Sequence, residues 1–307
     1  MATANPGFPA IRQIPYGIRG RLGDGTGRRY HPAMTPLRRL IAPVLPLAGL
    51  FAASPALAQG RPAPATWTID LGAAPVVSPV WQGSRDYALS VFPDLRVNWR
   101  DTVMASIPEG LRWHAIASGG LTAGPIARLR FGRNEDGASP FRVTGGSTAL
   151  AGMGRIGVAG EIGGFAQYDL GRSGVRLRGE VRKGFGGHDG VVGEVQAGYG
   201  QRTGRTIWAV NARATFATAG YLQTYFGVDA AQSAATGLGV SRPAGGLVSY
   251  GAGGNVIRRI DERIALTGFA SYERLAGKAA GTTLIRQRGD ADQVTAGLGI
   301  SWRFRIR

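Results

Sequence analysis

Histidine is scarce in this chain. His31 sits in a front segment set apart below, which leaves His114 and His188 as the imidazoles that could move a proton. His188 is followed by Asp189 in the run Gly186-Gly187-His188-Asp189-Gly190. A carboxylate that orients an imidazole makes a general base, so the pair could be half of a hydrolytic site. The same run also reads as a glycine-rich hairpin turn in which Asp and Gly supply the backbone geometry, and that reading is preferred. No His-x-Ser-Asn-Gly run of the outer-membrane phospholipase type is present. Metal chemistry has less support, because the chain has no cysteine, no histidine pair at ligand spacing and no acidic loop of alternating Asp. GFGGHDG and AGGLVSYGAGG resemble phosphate loops only superficially, since neither leads into a helix and no P-loop lysine follows. No catalytic residue, cofactor or metal is expected, and the chain is not expected to be an enzyme.

The stronger chemical pattern is a row of charges at every second residue: Arg176, Arg178, Glu180 and Arg182, opposite Val175, Leu177, Gly179 and Val181. Arg128, Arg130, Arg213, Glu161 and Glu194 fit the same face on neighbouring segments. Period-2 alternation marks a strand with one apolar and one polar face. The C-terminal segment is the clearest case. Val294, Ala296, Leu298, Ile300, Trp302 and Phe304 fall on one face, and Thr295, Gly297, Gly299, Ser301 and Arg303 on the other.

What positions such strands depends on where the chain goes. From Met34, two arginines (Arg38, Arg39) precede an apolar run from Leu40 to Ala53 that closes on Ala56-Leu57-Ala58. This is the layout of a secretory signal peptide, with cleavage expected after Ala58. Residues 1–33 have no apolar periodicity and read as a misassigned start or a disordered extension, leaving residues 59–307 as the mature domain. Taking seven Arg and one Asp of the front segment from 36 basic and 19 acidic side chains leaves 29 and 18, a net +11. An exported chain rarely meets nucleic acid and carries no basic-aromatic RNA motif, so anionic solutes or lipopolysaccharide phosphates are the better partners.

No segment after residue 58 is long and apolar enough for a transmembrane helix, so a membrane-bound form must be a closed β-barrel with its apolar face to lipid. Tight turns at 170–174, 201–205 and 259–263 alternate with long connections at 133–154, 219–244 and 276–291, placing the long ones outside. Strands are expected near 66–78, 86–98, 121–133, 155–170, 174–186, 190–202, 205–218, 245–258, 262–276 and 292–304. Residues 101–118 count as two short strands around Pro108-Glu109-Gly110, giving twelve, or as one strand with a neighbour lost, giving ten. Twelve is preferred. In the narrow lumen of such a barrel, opposite charges should pair and plug it, although a surplus of arginine could instead select anions.

The stretch Tyr221 to Gly239 breaks the alternation. Tyr221 to Phe226 reads as an aromatic outer rim. Val228, Ala231, Ala235 and Leu238 mark one face of a short helix, with Asp229 as N-cap and Gly237 or Gly239 as stop. That helix is expected to pack its small apolar face on or into the barrel mouth.

This stretch also resembles the MipA/OmpV family of outer-membrane proteins, the MltA-interacting protein group, through Gln223, Thr224, Tyr225, Phe226, Gly227 and Gln232. WQGSRDY (81–87), FGRNED (131–136), GGHDGVVGEVQAGYG (186–200) and RQRGDADQVTAGLGISWRF (286–304) resemble further family blocks in the same order. The resemblance implies an outer-membrane barrel and, from the family's namesake, a non-catalytic scaffold that brings a lytic transglycosylase together with a murein synthase. It supplies no active-site residues. The alternative reading is a small anion-selective pore, or a barrel that binds a solute or lipopolysaccharide. One departure is the terminus: Trp302 and Phe304 are followed by Arg305-Ile306-Arg307, where such barrels commonly end on an aromatic.

Overall fold

The computed structural model describes residues 66–137 and 141–306, so the signal peptide and start-site expectations lie outside the described residues. Among the described residues, fourteen strands run in chain order: β1 (Trp67–Pro79), β2 (Tyr87–Trp99), β3 (Val103–Ser106), β4 (Gly110–Trp113), β5 (Ile116–Ser118), β6 (Leu121–Arg130), β7 (Arg142–Thr144), β8 (Ala159–Asp169), β9 (Val175–Gly186), β10 (Val191–Thr203), β11 (Thr206–Ala217), β12 (Gly246–Arg259), β13 (Ile264–Leu275) and β14 (Asp292–Ile306). Twelve close a ring of antiparallel pairs, because β1 pairs with both β14 and β2. β5 and β7 lie off that ring, against β6 and β2. The short pair β3 and β4 turns at residues 107–109, which makes the number twelve and not ten.

Closure follows from the pattern. Every ladder carries its apolar residues outward: Leu177 and Val181 on β9, Val195 on β10, Val210 on β11, and Leu298 and Ile300 on β14 are each about half exposed or more. A face exposed on an isolated chain is the face that meets lipid. Aromatics mark both edges of it, with Trp67, Trp113, Tyr168, Trp302 and Phe304 toward the short turns and Tyr87, Phe185, Phe216, Tyr250 and Tyr272 toward the long loops. On β11, Trp208 and Phe216 stand eight residues apart. At ~3.3 Å per residue and ~40° tilt that separation is ~20 Å, close to the ~25 Å apolar band of such barrels. The C-terminal residues are part of the wall: Arg305 and Ile306 pair with Thr68 and Trp67, so they are no overhang.

The buried apolar core lies at the mouth, under a lid of connections. Trp81, Leu150, Val192, Tyr221, Leu222, Tyr225, Phe226, Val248, Leu275, Leu284 and Ile285 all join it. Helices α1 (Ala219–Phe226), α2 (Ala230–Thr236), α3 (Gly277–Ala280) and α4 (Thr283–Arg288) form the lid.

Two expectations for this stretch need correcting. Tyr221 to Phe226 is helical and buried, not an aromatic rim: its residues 221, 222, 225 and 226 recur at helical spacing and face inward. The expected helix exists as α2, capped by Asp229 and ended by Gly237 with a positive φ, but Ala231 and Ala235 are exposed on it. Burial there belongs to Val228 and Leu238, which flank the helix. The methyl groups of two alanines bury too little area to compete with the four large side chains of α1 for the mouth.

Candidate functional site

The lumen is built by strand parity. Pairing Phe165 with Glu180, Gln167 with Arg178 and Asp169 with Arg176 puts all six on the inner face. The next ladders add Glu194, Gln196, Arg213 and Glu273. Each arginine of the sequence-derived row then has a carboxylate: Arg176 with Asp169 at 2.6 Å, Arg178 with Glu180 at 2.7 Å, and Arg182 with Glu161 at 2.8 Å and also with Glu180. Arg213 meets Glu273 at 2.8 Å, Arg130 meets Glu161 at 2.6 Å, and Arg128 reaches Glu180 at 3.3 Å. Arg182 and Glu161 are each only 1% exposed. Burial of this depth is tolerated because Glu161 and Arg182 each hold counter-charges and hydrogen bonds, and a broken pair would leave a bare charge.

His188 belongs to this network and not to a His-Asp pair. Its Nε2 lies 3.1 Å from Glu161 Oε1, while its Nδ1 accepts the Gly190 N–H at 3.2 Å. With Nδ1 accepting, Nε2 carries the proton it donates to Glu161. Asp189 points away and takes Lys183, whose ammonium holds the carboxyl below the usual aspartate range. The glycines of GFGGHDG (184–190) do positional work. A Cβ on Gly184 would fall 2.0 Å from the His188 ring, and one on Gly190 would fall 2.4 Å from the Tyr221 nitrogen. These glycines let the imidazole and the start of α1 come down onto the strand ends. His114 lies at the opposite end, with Nδ1 2.8 Å from the Asp101 carbonyl and its ring against Phe165.

The lid rests on this network. Tyr221 and Tyr225 pack edge-on against His188, and Arg130 stacks over Tyr221 at 5.2 Å. Burial pushes both tyrosine hydroxyls above their ordinary value. Arg133, just past β6, stacks on Trp81 at 5.6 Å, and burial pushes it down to about 10.

Of the family-motif residues, Tyr225 and Phe226 are buried in the core, and Gln223 and Thr224 are half-buried. Gly227 ends α1 through bonds to the Leu222 and Gln223 carbonyls, where a Cβ would fall 2.2 Å from the Gln223 amide. Gln232 closes a reciprocal capping box with Asp229 and donates to the Met153 carbonyl at 2.8 Å, tying α2 to the loop before β8. Arg288 of α4 donates to the carbonyls of Ala149, Ala151 and Thr236, which joins three connections into one lid.

Sequence reasoning missed Asp169, Glu273 and Arg133. The first two were available, since Asp169 shares the parity of Glu161 and Glu273 that of Ser271 and Phe269. Arg133 lies beyond its strand, where parity stops. Among the described residues, no cluster of three or more His, Asp or Glu side chains is arranged to hold a metal ion.

The barrel is similar to solved outer-membrane proteins at low identity. The NanC porin is 9% identical, with 76% of this chain and 98% of that chain covered and a TM-score of 0.42. An outer membrane channel from Pseudomonas putida F1 is 11% identical, covering 82% and 100%, with a TM-score of 0.37. An anion-selective porin from Comamonas acidovorans is 10% identical, covering 78% and 99%, with a TM-score of 0.28. Likeness at this level says nothing of what this lumen holds. A search of curated proteins returns no match. The family model described as MltA-interacting protein MipA matches residues 71–304, from the first strand to the last. On that match across the whole barrel, the chain belongs to the MipA family of MltA-interacting proteins.

Proposed function

We propose that this outer-membrane barrel is a closed, non-catalytic scaffold whose short-turn rim, the periplasmic end of such barrels, engages murein enzymes. By the family's name the partner is MltA, a lytic transglycosylase, and the fuller reading adds a murein synthase beside it. The observation that carries the proposal is the contrast between the two ends. The long-loop end is sealed by α1 and its core, while the short-turn rim presents Arg202, Arg205, Arg258, Arg263 and Arg305 exposed, against Asp261 and Glu262. A basic rim of this kind favours acidic partner surfaces by steering and complementarity.

The test is chemical cross-linking in cells followed by detergent extraction and recovery of the barrel. The expected result is co-recovery of a lytic transglycosylase, reduced when Arg202, Arg205 and Arg263 are replaced together by Gln. Repeated recovery without any murein enzyme removes the scaffold reading. The anion-pore alternative is disfavoured because the row of arginines is consumed by carboxylates. In planar bilayers the wild-type protein is expected to give no stable anion-selective openings, and such openings would restore that alternative.

A further inference from the structure

The wall is incomplete at one place. β3 and β4 are four residues each, so their hairpin stops at residues 107–109, about half-way up its neighbours. β2 pairs with β3 only over Arg96–Trp99, with one further bond from Ile107 N–H to the Leu95 carbonyl. Higher up, β2 meets β7 only at Leu89 and Ser90, with a bond from Val91 N–H to the Phe141 carbonyl. On the far side, β4 meets β6 only through Leu111 with Ala127 and Arg112 with Ile126. Among the described residues, the β2 edge at Pro93 and the β6 edge at Leu129 and Arg130 therefore face each other without a strand between.

The sequence fits an open edge there. Val91 and Leu95 direct their backbone groups to that side, and by the period of two so does Pro93, which has no N–H to leave unpaired. Pro93 stands six residues from the lower end of β2, about 15 Å up the wall at ~3.3 Å per residue and ~40° tilt, inside the hydrocarbon. Open sheet edges do not face lipid bare, because unsatisfied peptide groups cost several kcal/mol there. Something must cover the gap.

A cavity of about 170 Å³ runs through it. Its lining joins lipid-side residues at the gap, Pro93 and Leu129, to the charged face of the lumen, Asp94, Arg128, Glu194 and Glu273 among them. Phe141 closes the top by touching both Phe92 (5.3 Å between ring centres) and Phe131 (5.7 Å), and Ile107 and Pro108 form the sill. At the inner end Arg128 is an incompletely satisfied lumen cation. Its Nε is buried without an acceptor, and its one ion pair, to Glu180, is 3.3 Å long. Leu129, its chain neighbour on the outer face, is 65% exposed.

We infer that the gap between β2 and β6 is a lateral binding site for a single-chain carboxylate amphiphile of the fatty-acid type, its head on Arg128 and its chain passing between Pro93 and Leu129 into the bilayer. The apolar frame fits a hydrocarbon chain and the under-paired guanidinium fits a carboxylate. Size selects one chain: ~150 Å³ is room for a benzene-sized body, so the two chains of a phospholipid or the several of lipopolysaccharide cannot enter together. The lid closes the axial route, so the gap is the route by which a membrane-dissolved molecule reaches the lumen.

The test uses the full barrel folded into lipid nanodiscs and dodecanoate carrying a diazirine next to its carboxylate, with labelled residues mapped by mass spectrometry. Labelling is expected on lumen-side residues, Phe92 among them. Arg128→Gln should cut it about tenfold, as loss of a charged hydrogen bond does. Leu129→Trp, which leaves Arg128 in place, should also cut it by filling the gap, and it decides the matter if Arg128→Gln fails to show heat-modifiable folding. An uncharged dodecanol probe should label the wild type no better than dodecanoate labels Arg128→Gln. Labelling confined to lipid-facing side chains, or equal in wild type and both variants, would mean boundary lipid only and would overturn the site.

Discussion

Glu161 is the residue on which most of the lumen depends. It receives Arg130, Arg182 and His188 at once, and both of its oxygens are used. Glu161→Gln keeps the shape but removes the charge that two buried guanidinium groups need. Removing one partner of a buried pair costs about 3–5 kcal/mol, so the urea midpoint of folding in detergent is expected to fall clearly. An unchanged midpoint would show that water, and not Glu161, carries those arginines. The strand-borne residues of this network follow parity, because a strand alternates whatever its neighbours are, although Asp169 and Glu273 were not singled out. Their pairing was not, because which carboxylate meets which arginine depends on register across four strands. His188 shows the difference: its sequence neighbour Asp189 suggested a pair, yet the tight turn sends the two side chains opposite ways.

Among elements, α1 and α2 illustrate two kinds of stability. α2 buries none of its own residues and depends on its ends, on the Asp229 and Gln232 box and on the left-handed Gly237. Asp229→Ala is expected to cost the helix about 1 kcal/mol and to raise hydrogen exchange in residues 230–236 without moving the unfolding of the barrel. α1 is held by burial of Tyr221, Leu222, Tyr225 and Phe226. Phe226→Ala should cost about 3–5 kcal/mol, all of it in the lid. Limited proteolysis should then cut within residues 218–245 while the barrel stays heat-modifiable on gels. Loss of the folded barrel band itself would show that lid and wall fold as one unit. The caps of α2 could be read from the sequence because capping is local. The helix α1 could not, since its aromatic residues suit a rim or a core equally well until the mouth beneath them is known.

At the scale of the whole molecule, the barrel separates its tasks by height. The long-loop end holds the apolar core and the buried ion pairs, the middle of the wall carries the gap between β2 and β6, and the short-turn end is exposed and basic. This division is why a scaffold role at the rim and a lateral site in the wall can coexist: neither uses the residues of the other.

Alternation, turn spacing and the family blocks by themselves pointed to an outer-membrane barrel of twelve or ten strands with twelve preferred, to its strand limits within a few residues, to a row of charges expected inside, and to its family. Each of these rests on local geometry, the two-residue period of a strand or the chemistry of a turn, which the chain carries wherever it goes. Tertiary structure alone decided that Tyr221 to Phe226 plugs the mouth, that every arginine of the row is paired, and that two four-residue strands leave the wall open. Those outcomes depend on contacts between residues tens to hundreds of positions apart, such as Arg213 with Glu273 and Gln82 with Glu273, and only ring closure brings them together.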